Sequence, residues 1–472
     1  MTQIDTDICI IGAGSGGLSV AAGAVQMGAR VVLVEGHKMG GDCLNYGCVP
    51  SKALIAAGKA AQAHRDGATL GVQSNEPTLD FATTNDHVHN VIGTIEPNDS
   101  VERFRGLGVE VIEEFGEFLS PSELQAGEYR IKARRFVIAT GSSPLVPPIT
   151  GLDDVPFLTN ESLFDLKDRP KHLIIIGGGP IGMEMAQAHR RLGSRVTVVE
   201  GEKALGKDDP ELAEIVLNQL RKEGVSIYEG ATVSEVRETS RGVAVVTEEG
   251  NVFAGSHLLL AVGRKANVDR LNLEAAEVKT ERAGVTVDSQ LKTSNRRIYA
   301  IGDVAGGMQL THVAGYHAGV IIKSALFGLP SKAKSDHIPW ATYTAPELAQ
   351  VGLTEEKARE KYGRKLTVVR FPYRENDRAI AEGKTDGLIK VMVANSRPVG
   401  VSIAGAQAGE LIGMWAMAMA NNMKMSAIAA TVLPYPTLSE VNKRAAGAYF
   451  SPMLFENAKV KGVVRFVQRF LP

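Results

Sequence analysis

A short apolar strand, a glycine-rich turn, a helix and a second strand ending in glutamate occur twice in this chain, and that repeat constrains the fold more than any other feature. The first copy runs through residues 7–11, then Gly12-Ala13-Gly14-Ser15-Gly16-Gly17, a helix to Met27 and a strand over 31–35. The second runs through 173–176, then Gly177-Gly178-Gly179-Pro180-Ile181-Gly182, a helix to about Leu192 and a strand over 195–200. Strand and helix alternating in this order build a parallel sheet. The glycines permit a tight turn and let a pyrophosphate approach a helix N-terminus, whose amides and dipole favour anions. Each copy ends on an acid that can accept hydrogen bonds from a ribose and that opposes a 2′-phosphate. Two dinucleotide sites are therefore expected. Gly12, Gly14, Ser15, Gly16, Gly17 and Glu35 would form one, and Gly177, Gly179, Ile181, Gly182 and Glu200 the other. The acids favour NAD over NADP, with Lys203 and Lys207 as the opposing signal.

At 472 residues the chain exceeds what one core can serve, so several domains are expected. The pattern divides it into a first dinucleotide domain at 1–145, a second at 146–264, a segment returning to the first at 265–336, and an interface domain at 337–472. Residues 136–141 read as a buried strand with a turn, and Pro144, Pro147 and Pro148 mark the crossing to the second unit. Residues 298–303 form a further apolar strand ending in Gly302 and Asp303. From about His337, strands over 348–351, 366–371 and 388–393 precede helices, an α+β composition.

The formal net charge is −1, with Lys and Arg spread along the sequence, so no basic field is expected to hold nucleic acid or an anionic membrane. The first strand begins within ten residues of Met1 with no basic segment and apolar core before it, which points to the cytoplasm. The apolar stretch 411–430 is interrupted by Asn421, Asn422 and Lys424, which argues against a membrane span, and its methionines read as core or interface filler. His87 and His89 fall on a polar stretch as a solvated pair, and no resident metal site is expected.

Of three cysteines, Cys9 lies inside the first apolar strand and reads as a small core side chain. Cys43 and Cys48 lie in Gly-Gly-Asp-Cys-Leu-Asn-Tyr-Gly-Cys-Val-Pro-Ser-Lys at 40–52. On a regular helix, residues five apart have Cα atoms about 8.7 Å apart, beyond the roughly 6.8 Å limit for a disulfide. A bond between them needs a distorted turn. Asn45, Tyr46 and Gly47 can supply one ahead of the helix that Pro50 starts. So few cysteines do not suggest a secreted disulfide framework.

These thirteen residues, together with Ala139-Thr140-Gly141, 177–184, Val262-Gly263-Arg264, 299–303 and 346–354, resemble the pyridine nucleotide-disulphide oxidoreductases. Dihydrolipoyl dehydrogenase, glutathione reductase and mercuric reductase belong to that family, and the resemblance covers essentially the whole chain. It implies two Rossmann-like α/β domains, for FAD and for NAD, plus a C-terminal α+β dimerisation domain in a homodimer. It implies that Gly41, Asp42, Cys43, Lys52, Gly116, Thr140, Gly141, Gly302, Asp303, His312 and Ala314 surround FAD, and that Gly263 lies near the nucleotide. The same resemblance implies a redox-active Cys43–Cys48 disulfide. Cys48 would face the flavin as thiolate, and Cys43 would exchange with substrate. Lys52 and Glu184 match the family's ion pair, where a cation stabilises negative charge gained by the flavin.

Family members that exchange with a dithiol carry a His-Glu pair near the C-terminus, supplied across the dimer. Here Glu440 is retained and Tyr435 replaces the histidine. A phenol with a reference pKa near 10 is a poor base at neutral pH, where imidazole is well matched. A tyrosine here is similar to mercuric reductases and to soluble transhydrogenases. The former carry a further C-terminal cysteine pair, and this sequence has no cysteine after Cys48. The latter typically lack the full redox pair, which is intact here. Dihydrolipoyl dehydrogenase-like exchange with a lipoyl group is the first expectation. Metal-ion reduction, flavin-only NADH:acceptor or transhydrogenase activity, and a non-catalytic flavoprotein scaffold are the alternatives.

Overall fold

Every side chain of the strand Val31–Val34 is buried, as a strand covered on both faces of a parallel sheet requires. The computed structural model describes residues 2–73, 75–240 and 242–471. Val31–Val34 belongs to a sheet ordered Glu110–Ile112, Val31–Val34, Thr2–Ile11, Tyr129–Ile138, Glu123–Ala126, Gly116–Ser120. The first four strands run parallel, with Ile8 opposite both Val31 and Arg135. The last two close it as antiparallel neighbours. Ile298–Ala300 joins the same sheet, Ile298 facing Phe136, so the chain returns to its first unit after building the second.

The second unit has a parallel sheet ordered Ser226–Tyr228, Arg195–Val199, His172–Ile176, His257–Leu260, with an antiparallel ribbon of Val233–Thr239, Gly242–Thr247 and Val252–Gly255 beside it. The sequence repeat becomes a geometric one. Gly12 and Gly177 adopt φ of +104° and +111°, and a Cβ on either would stand 2.4 Å from the carbonyl oxygen of Ala139 or Ala261. A Cβ on Gly17 would stand 1.9 Å from Gly12 O, and one on Gly182 2.1 Å from Gly177 O. Both helices thus close on their own turns at the same place.

The third unit is an antiparallel sheet ordered Pro339–Thr342, Glu347–Gly352, Arg397–Gly405, Leu388–Ala394, Leu366–Pro372. Its apolar face packs against helices Ala408–Ala420, Met425–Ala429 and Glu440–Ala448. The apolar stretch 411–430 divides at Asn421-Asn422, where Asn422 takes φ of +59°. Buried Trp415 donates through Nε1 to Asn442 Oδ1 at 2.8 Å, and Asn442 donates to Leu411 O at 3.0 Å, so these two buried side chains satisfy each other.

One apolar cluster draws together Leu54 and Ile55, Met183 and Met185, Leu212, Leu348 and Ala404, binding elements of all three units. A buried charge cluster locks the second unit to the third. Lys390 Nζ lies 2.7 Å from Asp209 Oδ1, 2.7 Å from Glu211 Oε2 and 3.0 Å from Glu355 Oε2.

Candidate functional site

The thiols occupy a break between two helices. Gly41–Asn45 ends at Tyr46, with φ of −140°, and Gly47, with φ of −122° and ψ of −107°. The next helix runs Cys48–Asp66, starting two residues before Pro50, where the sequence reading had placed its start. Asn45 Nδ2 donates to Met39 O at 3.0 Å and Gly41 O at 2.9 Å, fixing the turn from inside. Asp42 Oδ1 fixes it from outside, accepting from Asn160 Nδ2 at 2.9 Å and pairing with Arg264 Nη2 at 3.0 Å.

Cys43 and Cys48 are both free thiols here. Cys48 opens the helix Cys48–Asp66, so backbone dipoles favour its thiolate. Its pKa is drawn down to about 6, first by a hydrogen bond from Cys43, against burial, then by Thr311 and the charge of Lys52. Thr311 Oγ1 lies 3.2 Å from Cys48 Sγ. The pKa of Cys43 is raised, because its proton is held in the bond to Cys48 and because it is buried. The pair thus divides its labour at neutral pH, with Cys48 as thiolate and Cys43 as thiol.

Lys52, one turn beyond Cys48, meets Glu184 Oε2 at 2.9 Å. Glu184 Oε1 accepts from the Tyr343 backbone N–H at 2.9 Å, and Lys52 Nζ stands 4.5 Å from the centre of the Tyr343 ring. Helix Cys48–Asp66, helix Pro180–Arg191 and the loop after strand Pro339–Thr342 therefore meet at one ion pair.

Glu35 and Glu200, the acids that end the two repeats, are placed alike. Glu35 accepts from Ala13 N–H at 2.6 Å and from His37 N–H at 2.7 Å. Glu200 accepts from Gly178 N–H at 2.5 Å and from Glu202 N–H at 2.8 Å. Each carboxylate pins its own glycine turn while keeping lone pairs for a ribose. Burial raises the pKa of Glu35 against those two backbone bonds. Asp303 accepts from Ser142 Oγ at 2.6 Å with Arg264 Nε 3.9 Å away, and burial raises its pKa against both. His312 donates from Nε2 to Pro339 O at 2.7 Å.

A cleft of about 880 Å³ joins these groups. Gly12, Gly14, Ser15, Gly16 and Glu35 line it, with Gly41, Asp42, Cys43, Cys48, Lys52 and Gly116. So do Thr140, Gly141, Ile181, Glu184, Gly302, Asp303, His312 and Ala314. Gly17 is not among the lining residues; it packs on Gly12 instead. Gly177, Gly179, Gly182, Glu200 and Gly263 also lie off this cleft, in and beside the second turn. Tyr435 and Glu440 do not reach it within one chain. Tyr435 is 68% exposed, and its hydroxyl donates to Asp377 Oδ2 at 2.9 Å, a bond that raises its pKa.

Thr311, Tyr343, Ser142 and Asn160 line the cleft without having been singled out from sequence, and Arg264 was noted only within a motif. Thr311 immediately precedes His312, so adjacency was the one signal available for it. The cradle fits FAD on its own geometry. A Cβ on Gly41 would stand 2.7 Å from Gly14 Cα, so the floor is bare backbone there, with room for a pyrophosphate to pass close. The cleft then leads from the first glycine turn to the thiols.

A two-dinucleotide α/β body, a thiol pair at the end of its cleft and an antiparallel interface domain together define a class. The model of the pyridine nucleotide-disulphide oxidoreductases matches residues 6–318, and that of their dimerisation domain matches 338–446. This chain belongs to that family of FAD-dependent, pyridine nucleotide-linked enzymes. Among its relatives is a mercuric reductase of Lysinibacillus sphaericus, 35% identical over 93% of this chain and 82% of that protein. A dihydrolipoyl dehydrogenase of Bacillus subtilis (strain 168) is 34% identical over 94% of this chain and 96% of its own length. A solved Cu(II) complex of the HOCl-induced flavoprotein disulfide reductase RclA from Escherichia coli superposes with a TM-score of 0.84 at 29% identity, covering 93% of this chain and 99% of that one.

Proposed function

We propose that this enzyme runs in the reducing direction, drawing two electrons from NADH and delivering them through Cys43 and Cys48 to a thiophilic metal ion. The cleft lined by Gly12, Gly14, Glu35 and Asp303 would hold FAD, which would supply two-electron transfer between the nicotinamide and the disulfide. The remaining steps belong to residues of the chain. The disulfide gains two electrons and one proton, giving the Cys48 thiolate and the Cys43 thiol. Lys52, held by Glu184, keeps a positive charge beside the thiolate. An acceptor would exchange with Cys43, the sulfur that the resemblance to the family assigns to substrate, although Cys48 is the more exposed of the two within one chain. The pair returns to the disulfide by giving two electrons to one ion, or one each to two ions, and the Cys43 proton to solvent, so each NADH leaves as NAD⁺ with one proton released.

The observation that carries this reading is the state of the proton-handling groups. Cys48 is held as thiolate by Cys43, Thr311 and Lys52 with no proton-accepting base beside it, whereas Tyr435 is hydrogen-bonded to a carboxylate and can take no proton at neutral pH. Oxidising an incoming dithiol needs a base; reducing a metal ion does not. The mercuric reductase relatives and the Cu(II)-bound neighbour support that acceptor class. The ion would reach Cys43 through the cleft that leads to the thiols. Dihydrolipoyl dehydrogenase-like exchange is the second reading, favoured by the retained Glu440 and the Bacillus subtilis relative.

The same reading takes NAD as the nucleotide, from Glu200, and a homodimer that brings Tyr435 toward the partner's cleft. The test reduces the enzyme anaerobically with NADH and presents Hg(II), Cu(II), oxidised lipoamide and a lipoyl protein in turn. Reoxidation by the metal ions at least about tenfold faster than by lipoamide is expected, a difference of about 1.4 kcal/mol in barrier. The opposite ranking would replace this reading with the second.

A further inference from the structure

The matched dimerisation domain stops at residue 446, and the chain then forms two more helices, Ser451–Phe455 and Ala458–Phe470. Neither contains a buried residue. Asn457 caps the second, accepting through Oδ1 from Lys459 N–H at 3.0 Å, so the helix has its own start and does not depend on a neighbour for it. At about 100° per residue, Val460, Val463, Val464, Phe466, Val467 and Phe470 fall within an arc of about 160°. Lys461, Arg465, Gln468 and Arg469 occupy the opposite face. Val463, Phe466 and Phe470 are 63%, 64% and 62% exposed.

The charge on this helix is segregated. From 457 to 471 there are four cations, Lys459, Lys461, Arg465 and Arg469, and no acid, in a chain whose net charge is −1. Among the described residues none of the four forms an ion pair, although ion pairs are frequent elsewhere on this surface. A surface helix made for water intersperses both signs; this one presents an apolar half, with Lys459 at its edge, and a polar half that carries cations and no acid.

We propose that the helix Ala458–Phe470 docks the enzyme in the plane of an anionic phospholipid surface. Phe466, Phe470 and the valines would enter the boundary between headgroups and acyl chains, while Lys461, Arg465 and Arg469 pair with headgroup phosphates. Lys459, at the margin of the apolar arc in the first turn, has a long enough stem to run along the surface and keep its ammonium among the headgroups. Thirteen residues rise about 20 Å along the axis, too short to cross a bilayer, and among the described residues no helix is long and apolar enough to do so. Summed over the whole chain, the charge offers no field for such a surface; gathered at one end, it does. A second copy of the chain is the less favoured occupant, because it would bring the same cations to the contact.

The test is co-sedimentation of the full FAD-loaded enzyme with vesicles of phosphatidylcholine alone and of equal parts phosphatidylcholine and phosphatidylglycerol, at low and high salt. Binding to the anionic vesicles at least about tenfold above that to neutral ones, and falling with salt, is expected. F466S/F470S should abolish it and K461E/R465E should weaken it at least about tenfold, both with NADH-driven flavin reduction unchanged. No binding by the native protein, or binding that survives both variants, would overturn the proposal. So would dissociation of the native oligomer in F466S/F470S, which would assign the apolar face to a second copy.

Discussion

Cys48 and Cys43 differ in their protons because of what surrounds each sulfur. The Cys48 thiolate accepts from Cys43 and Thr311 at a helix N-terminus, with Lys52 one turn away. Its pKa of about 6 sets the direction of the pH dependence: the thiolate is present above that value and is lost as pH falls through it. Alkylation of the reduced enzyme at Cys48 should therefore slow progressively below about pH 6, followed as iodoacetamide incorporation. Thr311→Val removes one donor while keeping shape, and hydrogen bonds to charged groups contribute about 1.5 kcal/mol or more. The alkylation midpoint should move up and the rate at pH 6 fall by about tenfold. An unchanged midpoint would remove Thr311 from the account. Thr311 lies 263 residues from Cys48, so no local pattern could join them. The Cys43–Cys48 spacing and the helix-breaking turn were legible because they are local.

At the scale of elements, the two glycine turns were readable because their requirement is steric and contained within a few residues. The structure returns the same close approach twice, and this separates the two nucleotide sites experimentally. Gly17→Ala places a Cβ where Gly12 O stands 1.9 Å away and should give protein with little bound flavin, seen as lost visible absorbance. Gly182→Ala meets Gly177 O at 2.1 Å and should leave flavin bound while raising the KM for NADH at least about tenfold. Equal flavin loss in both would mean that the sites are not independent. The Lys52–Glu184 pair joins two elements 132 residues apart and was available only through resemblance. Glu184→Gln should keep the Tyr343 bond and lose the charge. With Lys52 partly solvated, about 1–2 kcal/mol of stability is expected to go, and flavin reduction by NADH should slow at least about tenfold.

Across the whole molecule, the second unit is held to the third sheet by Lys390 against Asp209, Glu211 and Glu355, with Arg370 on the latter two at 2.9 and 2.6 Å. Nothing in the sequence marks this cluster, since its members come from four separate elements and each alone reads as a surface charge. Lys390→Met would leave three carboxylates facing one another with only arginine at the rim, and a loss of about 3–5 kcal/mol is expected from chemical denaturation. The pH dependence has a definite sign. Against burial, hydrogen bonds from Lys390 and Arg359 hold Glu355 down to about 2 from an ordinary 4.5, so its contribution is complete above pH 4.5 and is lost as pH falls toward 2. Acid unfolding of the native enzyme should steepen in that window, and the steepening should shrink in Lys390→Met. Tyr435 belongs to this scale as well, since it lies outside the cleft of its own chain and can act there only across a dimer.

The account rests on electrons from NADH reaching Cys43 and Cys48, and one measurement addresses that directly: anaerobic titration of the flavin-loaded enzyme with NADH, with accessible thiols counted in the denatured protein before and after. Starting from the oxidised enzyme, one equivalent of NADH should raise the count by two per chain, and the gain should vanish in Cys43→Ser. Flavin absorbance that bleaches with no new thiols would contradict the thiol relay.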